Sequence, residues 1–196
     1  MIKTKGDLRY YLKEDRLALH IDRKHPHFFS DEVWKYEIAL RQREYYTNQS
    51  RSVFNKLMTY WWTFIHHKKS VKLGIQIPPN TCGAGLHINH HGLLIISCST
   101  KIGKYLNVHQ GVNIGENIEP GKAPVIGDNV FIGPGVKIYG DVVIADNIAI
   151  AAGSVVTKSF LQPGVTIGGV PAHVLNEKRG NPFSATIRNE LGSRLE

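Results

Sequence analysis

The sequence has little of what marks exported or membrane-spanning proteins. Its 196 residues contain only two cysteines, Cys82 and Cys98, which are too few for a disulfide scaffold and suit a reducing compartment. No apolar run approaches the roughly 18 residues of a membrane-spanning helix, and residues 1–7 contain no apolar signal segment. These absences predict a cytoplasmic protein. A P-loop, a dinucleotide-binding fingerprint and a serine nucleophile elbow are also missing.

Glycine is nearly absent from the first part of the chain, where only Gly6 precedes Gly74. Residues 1–72 contain 15 Lys and Arg against 8 Asp and Glu, whereas residues 73–196 contain 9 against 8. The first part therefore carries +7 of the net charge of +8. This skewed composition predicts a boundary, with an N-terminal region over 1–72, a second domain over 73–176 and a C-terminal tail over 177–196.

The first part is predicted to be α-helical. Thr4 followed by Asp7 is a helix-capping pattern, and Ser30 is placed to cap a second helix with acidic residues in its first turn. Large apolar residues then recur at helical spacing, as in Val53, Leu57, Trp61 and Phe64. Trp61 and Trp62 stand close to Lys68 and Lys69, a combination that suits either packing inside the protein or weak contact with an anionic membrane surface.

The second part shows a period of six residues. Isoleucine or valine recurs at this spacing, with one double step, at Ile96, Ile102, Val108, Ile114, Ile126, Ile132, Ile138, Ile144, Ile150 and Val156. A period of six matches neither a helix nor a simple alternating strand. It is typical of a parallel β-helix built from hexapeptides, in which three short strands form a coil of about 18 residues. We expect these side chains to point inward, and the Gly and Asn residues between them to occupy corners with positive φ.

Four motifs give the second part a resemblance to the left-handed β-helix acyltransferases, and within them to the serine-acetyltransferase-like branch. They are residues 85–90 (Gly-Leu-His-Ile-Asn-His), 132–138 (Ile-Gly-Pro-Gly-Val-Lys-Ile), 151–158 (Ala-Ala-Gly-Ser-Val-Val-Thr-Lys) and 168–172 (Gly-Gly-Val-Pro-Ala). The resemblance covers residues 73 to about 176. It implies a mainly β fold, a left-handed parallel β-helix preceded by an α-helical region, assembled as a homotrimer.

Acetyl transfer from a thioester to a hydroxyl needs a general base, and histidine is suited to that role at neutral pH. The resemblance assigns the base to His90. The family has Asp before this histidine and the chain has Asn89, which can orient an imidazole by a hydrogen bond but does not stabilise an imidazolium by charge. A carboxylate from the N-terminal helices, such as Asp15, Asp22 or Asp31, or from another subunit is an alternative partner. His91 and His109 are further catalytic candidates; they are 18 residues apart, which predicts that they stack on neighbouring coils.

For the donor, the resemblance implies acetyl-CoA as cosubstrate, with its pantetheine arm on a ladder of small corner residues. Gly133 and Ala151 are 18 residues apart, as are Pro134 and Ala152, so each pair is predicted to stack. Hydrogen bonds and a phosphate contact are expected from Ser154, Thr157 and Lys158. No metal is expected, since the His-x4-His pair of zinc-dependent relatives of this fold is missing, and both cysteines are expected to be buried.

The acceptor is a small molecule with a hydroxyl group, either L-serine or a saccharide of surface-polysaccharide synthesis. True serine acetyltransferases carry Arg-His before a proline where this chain has Lys122-Ala123-Pro124. The loss of that histidine makes a sugar hydroxyl as plausible as L-serine. N-acetylation of an amino-sugar and a catalytically silent β-helix that binds a partner remain alternatives. Nucleic acid is not an expected partner, since no recognised binding module is present.

Overall fold

The structure is a computed structural model, and it describes residues 1–50, 52–117 and 121–181. Three α-helices precede a series of short strands. The helices are α1 (Lys5–Ala18), α2 (Glu32–Thr47) and α3 (Val53–Leu73). The strands are β1 (Ile75–Gln76), β2 (His87–Ile88), β3 (Leu94–Ile96), β4 (Lys101–Ile102), β5 (Asn107–Val108), β6 (Asn113–Gly115), β7 (Val125–Ile126), β8 (Phe131–Ile132), β9 (Lys137–Tyr139), β10 (Val143–Ile144), β11 (Ala149–Ile150), β12 (Val155–Val156), β13 (Thr166–Gly169) and β14 (Ala172–Asn176).

The helix starts follow local capping chemistry. Thr4 and Asp7 form the predicted capping box of α1, and the Ser52 hydroxyl accepts from the Asn55 N–H at the start of α3. The prediction for α2 was wrong by one residue. Asp31, not Ser30, is its N-cap, in a left-handed conformation with φ of 63°. The Asp31 carboxylate is held instead by the Arg23 guanidinium and the His27 N–H.

The strands form the three faces of a prism. Sheet A contains β1, β3, β6, β9 and β12, sheet B contains β4, β7 and β10, and sheet C contains β2, β5, β8, β11, β13 and β14. Every pairing is parallel except β13 with β14. The chain visits the faces in the repeated order A, B, C, which is the path of a parallel β-helix. The predicted fold class, a mainly β left-handed β-helix after an α-helical region, is confirmed.

The interior of the prism is a stack of aliphatic side chains. All ten members of the six-residue series are buried, and most are fully inaccessible. Each contacts its counterparts on the coils above and below, so the period of six produces one continuous core. The glycines that directly follow an inward residue were predicted to have positive φ, and none of Gly103, Gly115, Gly127 and Gly133 does. Positive φ falls elsewhere, as at Asn129 and Gly135. A Cβ on Gly133 would come within 2.8 Å of the Ala152 nitrogen, so this glycine is required by the close approach of the next coil.

The coils are not uniform in length. From Phe131 to Ala149 the repeat is 18 residues, but from His87 to Asn107 it is 20 and from Asn107 to Phe131 it is 24. The 24-residue coil contains the segment between Gly115 and Val125, of which residues 118–120 lie outside the described part. The 20-residue coil has two additional residues in the corner over residues 89–93. The two additional residues change which histidines of neighbouring coils lie close together.

The helices close the open end of the β-helix through buried polar side chains. The Asp15 carboxylate accepts from the Gly85 and Leu86 N–H groups, the Glu37 carboxyl accepts from the Ile88 N–H, and the Tyr36 hydroxyl accepts from the Ile77 N–H. Arg41 donates to the carbonyls of residues 82 and 83 and to Asp15 and Glu44. These side-chain hydrogen bonds take the place of the backbone hydrogen bonds that a preceding coil would make to the first one.

The two parts of the chain share one core, since Tyr36 and Leu40 of α2 belong to the same buried cluster as the coils. The division between residues 72 and 73 therefore stays a prediction about domains. Most of the predicted tail, residues 182–196, lies outside the described residues. Cys82 is buried as predicted, but Cys98 is exposed, so that expectation was wrong. Among the described residues, no helix is long and apolar enough to cross a bilayer.

Candidate active site

The predicted site residues gather mainly on one edge of the prism, where sheet C turns into sheet A. We call this the histidine edge; it consists of residues 89–93, 109–111, 133–135 and 151–153, one corner from each of four coils. Val108 pairs with Ile132 and Ile132 with Ile150, so the residues that follow them stack in the same order. The candidate base and the candidate ladder for coenzyme A thus lie on one continuous line.

His90 and His109 meet on this edge, with their ring centroids 6.1 Å apart. His91 was predicted to stack on His109, and the structure does not bring these two together. The reason is the longer corner: Ile88 pairs with Val108, so Asn89 is in register with His109, and His90, the next residue, brings its ring near the His109 ring. Burial, and then the neighbouring His90, lower the pKa of His109. This lowered pKa favours the neutral form of the His109 imidazole beside His90.

Two further histidines adjoin this pair, and the sequence did not single them out. The His87 ring lies 5.5 Å from that of His20, in the turn after α1. Burial, and then the proximity of His20, His109 and His90, lower the pKa of His87 to about 4. Since the pairing of His87 with Asn107 depends on the 20-residue coil, no pattern in the sequence could have revealed this cluster of four imidazoles.

Gln110 is another residue that the sequence analysis missed. It lies on the histidine edge, directly after His109 in the chain. Its amide oxygen is buried and has no hydrogen-bond partner within the described ranges. Buried polar groups are nearly always hydrogen-bonded, so this oxygen is an exception on the edge.

Asn89 does not orient His90. Its side-chain amide donates to the Asn107 Oδ1 at 2.5 Å and to the Val108 carbonyl at 3.2 Å, so it ties the corner to the next coil. Of the suggested carboxylates, Asp15 is bound to Arg41 and Asp31 to Arg23. In the part of the chain that the structure describes, His90 has no carboxylate partner. Among the described residues, the candidate base thus lies beside imidazoles and amides rather than beside a carboxylate.

The small residues of the predicted ladder form an open surface next to these histidines. Pro134 and Ala152 are exposed and stacked. Gly153 has φ of 69°, and a Cβ placed on it would meet nothing within 4 Å. The edge is therefore accessible from outside at Pro134, Ala152 and Gly153, whereas Gly133 is buried against the next coil. Such a surface can accept an extended chain with amide groups, because no side chain blocks the approach.

Three other predicted contacts lie elsewhere. Ser154 is fully buried; its hydroxyl donates to the Ala151 carbonyl at 2.6 Å and accepts from the Gly169 N–H at 3.2 Å. Its predicted role in binding coenzyme A is therefore corrected to a structural one. Thr157 and Lys158 are exposed on the next edge, between sheets A and B. The Lys158 ammonium lies 5.6 Å from the centroid of the Phe160 ring.

The segment that replaces the Arg-His motif belongs to this same second edge. Ala123 is buried, so its side chain does not face a substrate in this conformation. A metal centre was not expected, and no group of three potential ligands occurs over residues 1–50, 52–117 and 121–181.

Residues 123–158 match the family model described as bacterial transferase hexapeptide (six repeats). No curated protein matches the sequence significantly. Solved structures do match. A serine acetyltransferase from Brucella abortus strain S19 in complex with coenzyme A is 25% identical, with a TM-score of 0.70, over 90% of this chain and 70% of its own.

Two more serine acetyltransferases match over similar lengths. The enzyme from Brucella melitensis is 26% identical, with a TM-score of 0.67, over 88% of this chain and 69% of its own. That from Neisseria gonorrhoeae in complex with serine is 25% identical, with a TM-score of 0.65, over 87% of this chain and 70% of its own. The predicted resemblance is confirmed: residues 123–158 carry the hexapeptide repeat, and the chain is similar in structure to serine acetyltransferases, which are acyltransferases.

Proposed function

We propose that this protein is an acetyl-CoA-dependent O-acetyltransferase that acts on the hydroxyl of a small molecule, L-serine or a saccharide. The observation that carries the proposal is the histidine edge, on which His90 and His109 lie in line with the exposed positions Pro134, Ala152 and Gly153. Similar enzymes have been crystallised with coenzyme A and with serine, which supports the donor and the class of acceptor.

In the proposed reaction, His90 accepts the proton of the acceptor hydroxyl. The hydroxyl oxygen attacks the thioester carbonyl, and backbone N–H groups of the edge stabilise the oxyanion. When the carbon–sulfur bond breaks, the imidazolium of His90 returns its proton to the thiolate of coenzyme A. No acyl-enzyme is formed. Burial favours the neutral form of His109, which adds no competing positive charge next to the base.

Of the ladder positions, Pro134, Ala151 and Ala152 hold the pantetheine arm in this proposal, and the buried Gly133 allows the coils to approach each other. Thr157 and Lys158 lie one strand further around the prism, where Lys158 offers a charge to a phosphate. The assembly is a homotrimer, because the flat sheets of neighbouring subunits can pack around a threefold axis. Such a trimer offers His90 a carboxylate from an adjacent subunit.

The direct test is a product assay with acetyl-CoA and a panel of acceptors: L-serine, neutral sugars and amino-sugars. We expect release of coenzyme A with one hydroxyl acceptor and an ester product by mass spectrometry. An amide product would replace this proposal with N-acetylation of an amino-sugar. If neither coenzyme A release nor binding of acetyl-CoA were found, the catalytically silent alternative would stand.

The assignment of the base is tested by His90→Ala, with His91→Ala as a matched control. Both side chains are exposed and occupy the same corner, but only His90 contacts His109. We expect kcat to fall roughly 10²–10⁴-fold in His90→Ala and to stay near the wild-type value in His91→Ala. Equal losses in the two variants would show that the corner, not the His90 imidazole, matters.

A further inference from the structure

The outer face of α3 is an exposed apolar surface that the proposed reaction does not use. At about 100° per residue, five of its residues fall within an arc of about 60°. They are Val53, Leu57, Tyr60, Phe64 and Val71, whose exposed fractions are 77, 63, 75, 55 and 71%. Phe54 and Trp61 lie beside this arc and are 63% and 56% exposed. We call these seven residues the α3 stripe.

The stripe is distinct from the face by which α3 joins the rest of the protein. The opposite face packs against α2 and β1 and contains the buried His66 and Leu73. Amphipathic helices of soluble domains expose polar residues on the side away from the core. In α3 both sides are apolar, and a contiguous exposed patch of this kind marks an interaction surface.

Positive charge surrounds the stripe. Helix α3 contains Lys56, Lys68, Lys69 and Lys72 and no acidic residue. Lys69 and Lys72 lie 3.5 and 3.6 Å from the Glu32 carboxylate. Within the described part of the chain, Lys56 and Lys68 have no ion-pair partner, and the Lys68 ammonium lies 5.3 Å from the centroid of the Phe64 ring. The stripe therefore presents aromatic rings and ammonium groups together.

A second exposed aromatic segment adjoins the C-terminal end of α3. Phe28 and Phe29 are 83% and 93% exposed, and they follow Lys24, His25 and His27. The Phe28 carbonyl accepts from the Lys35 ammonium, and Lys35 contacts the same Glu32 that binds the lysines of α3. The segment belongs to a loop rather than to α3, yet it repeats the combination of exposed aromatic rings with basic residues.

We propose that the α3 stripe and the Phe28–Phe29 tip bind the surface of a bilayer rich in anionic phospholipid. Aromatic and aliphatic side chains would enter the interface between headgroups and acyl chains, while lysines contact the headgroup phosphates. The helix would lie on the surface, in keeping with its inability to span. A second copy of the chain is less suited to this face, because paired α3 helices would bring together two copies of Lys56 and Lys68, which have no ion-pair partner among the described residues.

The first test uses the complete protein and vesicles of phosphatidylglycerol and phosphatidylcholine in equal amounts, with pure phosphatidylcholine as the comparison. We expect co-sedimentation with the anionic vesicles and about hundredfold weaker binding to neutral ones. The reason is that each of the three exposed lysines of α3, Lys56, Lys68 and Lys72, contributes about a factor of five at an anionic surface. Equal binding to both, or binding to neither, would overturn the proposal.

The second test compares two double variants. Leu57→Ser with Phe64→Ser alters the stripe, and Leu161→Ser with Leu175→Ser alters residues of the β-helix that are 70% and 53% exposed. We expect at least a tenfold loss of binding to anionic vesicles in the first variant and none in the second, with unchanged circular dichroism and unchanged mass by light scattering. A smaller assembly in the stripe variant, without vesicle binding by the wild type, would instead assign the stripe to contacts between copies.

A third measurement needs no disruptive change. Phospholipid brominated in its acyl chains quenches tryptophan emission on contact. We expect quenching in the wild-type protein and a marked reduction of that quenching in Trp61→Phe, since Trp61 is the tryptophan on the stripe and Trp34 is buried. Undiminished quenching in Trp61→Phe would show that another surface contacts the lipid. Acetyl-transfer activity is not a readout here, so failure of the proposed function leaves this result interpretable.

Discussion

The interior of the β-helix and its junction with the helices bury their side chains by opposite rules. Inside the prism, from β3 to β13, most of the buried side chains are aliphatic, as at Ile114, Ile132 and Ile150. At the junction, Asp15, Glu37, Arg41 and Glu44 are all at most 2% exposed. A middle coil hydrogen-bonds to coils on both sides, but the first coil has one free edge. At that free edge the backbone N–H and C=O groups have no neighbouring coil to pair with, so buried polar side chains supply their hydrogen bonds.

This difference makes Arg41 the most sensitive position of the junction. Arg41→Met would leave Asp15 and Glu44 as buried carboxylates without their cation and would release the carbonyls of residues 82 and 83. We expect the free energy of unfolding, measured in urea at fixed protein concentration, to fall by about 3–5 kcal/mol. Arg23→Met, which breaks the partly exposed pair with Asp31, is the control and should cost less than about 1 kcal/mol.

The aliphatic stack is expected to be sensitive to volume instead of charge. Ile132→Ala removes a fully buried side chain from the middle of the stack and should lower the free energy of unfolding by about 2–5 kcal/mol. Val143→Ala truncates an outward-facing side chain that is 39% exposed, and its effect should stay within about 0.5 kcal/mol. Similar losses in the two variants would contradict the inward assignment of the six-residue series.

Ser154 tests whether polar burial in the coils is also structural. Ser154→Ala leaves the Ala151 carbonyl and the Gly169 N–H without this partner, so we expect a loss of about 1–3 kcal/mol in thermal or urea unfolding. The KM for acetyl-CoA should not change, since the hydroxyl does not reach the surface. A raised KM with unchanged stability would restore the role predicted from the sequence. Thr157→Ala, at an exposed position, is the matched control.

Glu37 should produce the smallest effect, and that effect depends on pH. Burial, and then the charge of Asp15, raise the pKa of Glu37 well above its usual value. The folded state then holds a proton that the unfolded chain releases, so Glu37 lowers stability progressively as pH rises from about 4.5 towards its folded pKa. We expect Glu37→Gln to match the wild type near pH 5 and to become more stable than it towards pH 8. A difference that stays constant with pH would show that Glu37 is ionised in the fold.

How much of this could be predicted from the sequence depends on whether the signal is local. The spacing from Ile96 to Val156 predicts the coils, because each inward residue needs only its own repeat to be recognised. The Thr4 cap is local in the same way. The meeting of His90 with His109 is not, because it depends on two additional residues in one corner, and nothing in the sequence separates a 20-residue coil from an 18-residue one. Ser154 was misassigned because its hydroxyl faces inward, a direction that its motif does not encode.

The sequence by itself determined the repeat, the basic character of residues 1–72 and the residue types available for acetyl transfer, since composition and period are properties of the chain order. Only the tertiary structure decided that Arg41 and Asp15 close the first coil, that His20 and His87 join His90, and that the α3 stripe faces outward. These depend on contacts between residues 20 to 90 positions apart, and such contacts are selected by the packing of whole elements, which no local pattern specifies.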